Sequence, residues 1–360
     1  MVIFIGPCTY PVTGQAMAFK YLVENYSSPK KVFMYGANSD NLFSVSLATL
    51  SVFMSLFFFL LTHREVSAFY LTTSRTKFGF FRDCLFILTA KSFGLKVCNH
   101  LHGADFKEFR SNSHRLIKHI IDYVYVRIDV SIVLLPRMRE QYDMYPSMKV
   151  VSVNNCSEAV HFSRNDKLGA GCLNLLYLSN IMYSKGILHL IEAVDNLVLA
   201  GHGIELYIAG QIIADEYRSV DEIRLQFETL SNGKSYIKYL GVVEGDTKKR
   251  LLNHSDIFVL PTFYKTEAQP ISVIEAMMAG LPIITTDHNY MSDLVTSESG
   301  LRVRTKSVAQ LEAAILKLKS APLLMASISN YNKESSASKF SVEQYVSSIS
   351  NVLDEMQEKY

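Results

Sequence analysis

Short apolar runs rich in Val, Ile, Phe and Tyr recur along the 360-residue chain, separated by longer segments of mixed polarity. That alternation predicts strand and helix in turn, the pattern of an α/β protein built on parallel sheets. Six strands are expected in the first half, near Val2 to Ile5, Lys31 to Tyr35, Ala68 to Leu71, Lys96 to Asn99, Ser131 to Leu135 and Lys149 to Val153. Five more are expected near Asn174 to Leu178, Glu205 to Ala209, Tyr236 to Leu240, Ile257 to Leu260 and Pro282 to Thr285. Each is followed by a turn residue and a helical stretch, so the pattern is that of two Rossmann-like domains. The boundary falls in the polar, Gly-containing segment His161 to Gly171. This divides the chain into an N-terminal domain over 1–165, a C-terminal domain over 166–340 and an amphipathic helix over 341–360 that packs back toward the first domain. Parallel sheets bind ligands at the carboxyl ends of their strands, so a cleft between two facing sheets is the place to look for chemistry.

One segment departs from the pattern. Val45 to Leu61 carries no charge and falls just short of the about 20 apolar residues a spanning helix needs. Ser46, Thr49, Ser51 and Ser55 interrupt its first half, so a buried or surface-lying helix is expected rather than a span. Charge sharpens that expectation. The net charge is only +2, too balanced for a dedicated nucleic-acid binder. Residues 1–165 nevertheless hold 18 basic and 11 acidic side chains (18 − 11 = +7), and the remainder hold 18 and 23 (−5). A basic first domain, an apolar helix and the run Phe78 to Arg82 together predict peripheral contact with an anionic membrane surface. The competing expectation is that this helix packs wholly inside its domain. Five cysteines form no Cys-x-x-Cys pair, which argues against a disulfide framework or zinc site and fits a reducing cytoplasm. Met1 to Gly6 runs directly into a Gly/Pro turn, unlike a signal peptide.

The richest stretch runs from Asp256 to Thr286. A strand ends at Pro261, a polar loop carries Glu267, and Pro270 sits where a first helical turn tolerates a missing N–H. The helix then ends at Gly280, with Leu281-Pro282 preventing continuation. Its N-terminus offers unpaired N–H groups around Ala268, Gln269, Pro270, Ile271 and Ser272, Pro270 itself excepted, as an anion site for a phosphate. Glu267 and Glu275 flank that site and are placed to accept hydrogen bonds from sugar hydroxyls.

Glu267 and Glu275, Glu275-Ala276-Met277 followed by Gly280-Leu281-Pro282, and Leu178-Ser179-Asn180 with Lys185-Gly186 resemble retaining glycosyltransferase family 4, of the group 1 type with the GT-B fold. The resemblance is dense over residues 173–287 and thinner in the first half. It implies that Glu267 contacts the transferred sugar and Glu275 the nucleotide ribose. It also implies an Arg and a Lys spaced five apart on the donor phosphates; Lys185 matches the Lys, whereas the Arg position is Asn180. Arg218 and Lys265 are candidates to replace that contact. In the first half, Gly14-Gln15 resembles the family's glycine loop with one of two glycines kept, and His102-Gly103 matches a histidine that contacts the donor sugar. His100, two positions earlier, is read as pointing elsewhere.

Other motifs fail. Gly233-Lys234-Ser235 mimics a P-loop ending, but Glu228 stands where its first Gly belongs; no Asp-x-Asp, His-Glu-x-x-His or Gly-x-Ser-x-Gly occurs. With those set aside, the resemblance implies a metal-independent, cofactor-free hexosyltransferase as the expectation. It moves sugar from a nucleotide diphosphate sugar to a glycan or polyprenyl-linked acceptor, with retention, at the cytoplasmic face of a bacterial membrane in surface polysaccharide biosynthesis. A GT-B sugar epimerase and a membrane-bound scaffold that has lost turnover are the alternatives, the latter suited to the Asn180 and Gln15 departures.

Overall fold

The computed structural model describes residues 1–8, 13–36, 42–74, 76–158 and 171–358. It divides into two compact units, Met1–Cys156 with Val342–Tyr360, and Ser157–Ser341. The boundary expected at 161–171 lies, Gly171 apart, outside the described residues.

The first unit winds β1 (Val2–Pro7), α1 (Gly14–Asn25), β2 (Lys30–Tyr35), α2 (Leu42–Thr62), β3 (Ala68–Thr72), α3 (Lys77–Ser92), β4 (Lys96–Leu101), α4 (Phe106–Asn112), α5 (Arg115–Tyr125), β5 (Val130–Val133) and β6 (Lys149–Ser152). Its six strands are parallel in the order β2-β1-β3-β4-β5-β6. Central strands such as β3 are buried at every position, which is why they read as unbroken apolar runs rather than alternating ones. Thr13 and Thr76 start α1 and α3 by accepting the N–H groups of Ala16 and Gly79.

The second unit contains β7 (Leu173–Leu178), α6 (Ile187–Leu199), β8 (Ile204–Ala209), α7 (Val220–Ser231), β9 (Ile237–Tyr239), α8 (Gly245–His254), β10 (Ile257–Leu260), α9 (Ile271–Met278), β11 (Ile283–Thr286), α10 (Met291–Leu294), β12 (Gly300–Val303), α11 (Val308–Lys319) and α12 (Pro322–Lys339). Its parallel order is β12-β11-β10-β7-β8-β9. The chain winds outward from β7 through β8 to β9, then returns to β10 and winds the other way. The switch point therefore lies between β7 and β10, where ligands bind in doubly wound sheets. The terminal helix α13 (Val342–Gln357) belongs to the first unit, burying Tyr345, Ile349 and Leu353 in a cluster with Ala18 and Leu22 of α1.

All eleven expected strands form. The twelfth, β12, is too short and too mixed in its Gly-Leu-Arg-Val sequence to announce itself. The apolar segment is a helix, but it does not pack inside its unit: only 11% of its Val45–Thr62 window is buried, and that window is long and apolar enough to cross a membrane.

Candidate active site

Two loops meet at the switch point of the second unit. After β7 the chain crosses to the segment beyond β8, with the Ile181 N–H donating to Gln211 O at 2.8 Å and the Ile213 N–H to Ile181 O at 3.2 Å. A single 3-10 turn, Tyr183–Lys185, then closes on Gly186 at φ 78°. A Cβ there would lie 2.1 Å from the carbonyl oxygen of Pro261. Glycine is thus needed for the positive φ and for the close approach of the post-β7 loop to the post-β10 loop. Ser184 locks the approach, its carbonyl accepting the Phe263 N–H at 2.7 Å and its N–H donating to Asp215 Oδ2 at 2.6 Å.

This bracing delivers Lys185 Nζ to 2.5 Å from Glu267 Oε2, with the two side chains only 12% and 8% exposed. Thr262 Oγ1 donates to the same oxygen at 3.0 Å, and the Lys185 ammonium lies 4.9 Å from the centre of the Tyr264 ring. The Glu267 loop is held from beneath, because Asn289 at φ 49° donates from Nδ2 to Lys265 O at 2.7 Å and Thr285 Oγ1 donates to Leu260 O at 2.8 Å. Deleting either member of a buried pair strands a charge, at a cost of roughly 3 to 5 kcal/mol. Behind the pair, burial and the Glu267 charge raise the Tyr177 phenol well above its ordinary value, so it stays neutral and donates to Asn180 O at 2.8 Å.

Immediately after this loop α9 begins. Pro270 is its N-cap rather than a residue of its first turn, and no side chain caps it. The N–H groups of Val273 and Ile274 reach back to Pro270 O at 3.2 and 3.3 Å. Those of Ile271 and Ser272 have no partner within the helix. Ala268 and Gln269 are buried in the connection that leads to them. Glu275 lies on the second turn, its Oε1 receiving Lys248 Nζ at 2.6 Å and Ser157 Oγ at 3.4 Å. Each glutamate thus holds its own lysine.

Asn180 is exposed, with only its backbone carbonyl engaged by Tyr177. Arg218 lies closer to the Lys185 turn than its sequence position indicates: its guanidinium stacks 3.6 Å from the Tyr183 ring centre, and its backbone N–H donates to Asp215 Oδ1 at 3.0 Å. Lys265 is exposed on the loop itself. Sequence reasoning missed Asp215, Lys248 and Lys306. Lys306 lies 4.5 Å from the Phe263 ring and 5.7 Å from Tyr183. Burial, then Lys306, then Arg218 push the neighbouring His189 below its ordinary value, keeping it neutral. Gly233-Lys234-Ser235 lies at the edge strand, lining a separate cavity of about 700 Å³ with Phe227 and Tyr239.

In the first unit, His102 follows β4 on a loop braced by Gln141, whose Nε2 donates to Ala104 O at 3.0 Å. Its ring lies 4.1 Å from that of His100, so the two do not point apart as expected. Residues two apart in a strand share a face. His100 is fully buried against the Tyr70 hydroxyl at 2.7 Å, and burial followed by the His102 neighbour drives its pKa well below the ordinary histidine value. Gly14 is the first residue of α1, and Gln15 Nε2 approaches Thr73 O at 3.5 Å. Most of the expected glycine loop, residues 9–12, lies outside the described residues.

Residues 170–335 match the profile of the family Glycosyl transferases group 1. That stretch is a group 1 glycosyltransferase domain. An uncharacterized glycosyltransferase of Methanocaldococcus jannaschii is 28% identical over 151 residues, 42% of this chain and 36% of the relative. The amylovoran biosynthesis glycosyltransferase AmsK of Erwinia amylovora is 26% identical over 40% of this chain and 35% of its own length. The match thus spans little more than a third of these curated relatives. Among solved structures, a glycosyltransferase from Rickettsia africae superposes with a TM-score of 0.73 at 14% identity, covering 100% of this chain and 99% of its own. Anabaena HepE in complex with UDP gives 0.72 at 15% identity, covering 98% and 99%. These likenesses establish the fold as GT-B. The group 1 domain contains both ion pairs, the Lys185 turn and the start of α9.

Proposed function

We propose that this chain transfers a sugar from a nucleotide diphosphate sugar to a glycan or polyprenyl-linked acceptor, with retention of anomeric configuration and without a metal. The observation that carries the reading is the Lys185–Glu267 pair at the switch point, immediately ahead of the open N-terminus of α9. A nucleotide diphosphate has what this place lacks. Its negative charge suits the Ile271 and Ser272 N–H groups and draws on Lys185, stabilising the leaving group as charge develops. Glu267, with Thr262 donating to one carboxylate oxygen, keeps the other for a hydroxyl of the transferred sugar. Glu275 holds the ribose through the oxygen that Lys248 and Ser157 leave open. Acceptor attack on the face from which diphosphate departs lets the leaving phosphate take the acceptor proton.

HepE has been solved with UDP, with UDP and glucose and with UDP-glucose, which supports a UDP-hexose as the first donor to try. The amylovoran biosynthesis glycosyltransferase AmsK supports a biosynthetic role, and a polysaccharide product made at the cytoplasmic face of a membrane is part of the proposal. Calorimetric titration with UDP, followed by a panel of UDP-, GDP- and ADP-hexoses with product anomer determined by NMR, tests the reading. Failure of every nucleotide to bind removes it, and an inverted product removes retention. The exposed Asn180 in place of an arginine favours a second reading, a scaffold that binds donor without turning it over. Binding without hydrolysis or transfer selects that alternative, and interconversion of donor sugars without acceptor selects an epimerase.

A further inference from the structure

The first unit presents an outward layer that the sugar-transfer reading does not use. Right-handed crossovers place helices on opposite faces of a parallel sheet when the winding direction reverses. The chain moves from β1 to β2 one way and from β2 through β3, β4 and β5 the other, so α2, α3 and α5 share the face opposite α1 and α13. Contacts agree, α2 packing against α3, α3 against α5, and α1 against α13.

Each of the three helices shows an exposed apolar stripe at helical spacing. On α2 it is Leu47, Leu50, Met54, Phe58 and Leu61, with Phe58 58% exposed. On α3 it is Phe78, Phe81 and Leu85. On α5 it is Leu116, Ile120 and Tyr123, with Leu116 68% exposed. Among the described residues, these helices hold eleven of the twenty large apolar side chains that are exposed, so the apolar surface is concentrated on one face rather than scattered.

Charge selects the occupant. The two acids on these helices are neutralised locally, Asp83 by Arg82 at 2.7 Å and Asp122 by Arg110 at 2.6 Å. Arg82 is thereby spent: it also stacks 3.3 Å from the Tyr35 ring centre and, contrary to expectation, offers nothing to a membrane. Cations remain on and beside α5, namely Arg115 and Lys118, with Arg127 stacked 3.6 Å from the centre of the exposed Tyr123 ring. Apolar stripes with uncompensated cations fit an anionic leaflet and oppose a second copy of the same positive face. A span by α2 alone would pull Phe59 and Phe57 from Phe33 and Phe93, whose ring centres lie 5.9 and 5.8 Å away.

We propose that α2, α3 and α5 form one interfacial docking face for an anionic bilayer, with α5 supplying the headgroup contacts. This rests on the first unit alone and is independent of the donor reading. The test is vesicle flotation of the full chain, with phosphatidylcholine vesicles against mixed phosphatidylcholine–phosphatidylglycerol vesicles, at low and high salt. Flotation that needs phosphatidylglycerol and weakens with salt is expected. Arg115→Glu with Lys118→Glu should reduce it by at least about tenfold, and Leu116→Ser with Ile120→Ser should reduce it at both salt concentrations. All four positions are solvent-facing or partly so, and an unchanged melting temperature checks the fold. Wild-type flotation of both α5 variants overturns the proposal, as does retention through carbonate extraction, which indicates a span by α2. Dimerisation without vesicle binding also overturns it, by assigning the face to a second copy.

Discussion

Both six-stranded sheets are parallel and reverse their winding once, after one outward strand in the first unit and two in the second, yet the loops and helices around them also differ in how they are spent. In the second unit, cations are drawn inward: Lys185 and Lys248 are each tied to a glutamate near the start of α9. In the first, arginines neutralise the helix acids, while apolar stripes and the cations of α5 face outward. A sheet determines where loops emerge, not what they do. The contrast teaches that one kind of scaffold offers a candidate ligand site where charged side chains converge on a helix start, and the proposed docking face where apolar stripes stay exposed.

The largest effect expected on the second unit is from Glu267→Gln. Positioning of the reacting sugar is worth several kcal/mol, so kcat should fall by about a hundredfold or more while nucleotide affinity changes little. Steady-state kinetics showing wild-type turnover would remove the central residue of the mechanism. Asp215 acts one step back, through the Ser184 N–H and hence the Lys185 turn. Asp215→Ala should lower kcat/KM by about tenfold, the scale of one lost hydrogen bond to a charged group, whereas Asp215→Asn keeps an acceptor oxygen and should recover most of it. Equal loss in both variants would show that the aspartate charge, not its placement of Ser184, matters.

Glu275→Gln should raise donor KM several-fold with kcat little altered, the signature of an interaction present equally in ground and transition states. An unchanged KM would detach Glu275 from the ribose. The smallest effect concerns the first unit and pH. Folded His100 resists a proton that the unfolded chain accepts below about pH 6.5, so stability should fall on acidification by up to about 1.4 kcal/mol per pH unit. Melting temperatures of wild type and His100→Gln, compared on either side of that pH, should show a shallower decline in the variant. Parallel curves would place the acid sensitivity elsewhere, with half-buried His189 the next candidate.

Much of this molecule was legible in one dimension. Fully buried parallel strands read as apolar runs because neither face meets water, and the loop around Glu267 was recognisable because strand end, Pro270, helix and Gly280 are contiguous. Gly280 does adopt the left-handed conformation, at φ 73°. These are short-range properties of the backbone, set by periodicity, caps and turn residues within a few positions of each other. The pairings were not legible. Lys185 reaches Glu267 across 82 positions, Lys248 reaches Glu275 across 27, and Asp215 reaches Ser184 across 31, each through a crossover that returns the chain to the switch point. Nor did the sequence show that Arg82 folds inward onto Tyr35 and Asp83 while α5 keeps its cations outward, since both segments are mixtures of basic and aromatic residues. Local patterning decided which elements form and which loop is rich in chemistry. The tertiary structure decided which charges neutralise one another, because that depends on distances between strands set only when the sheet closes its hydrogen bonds.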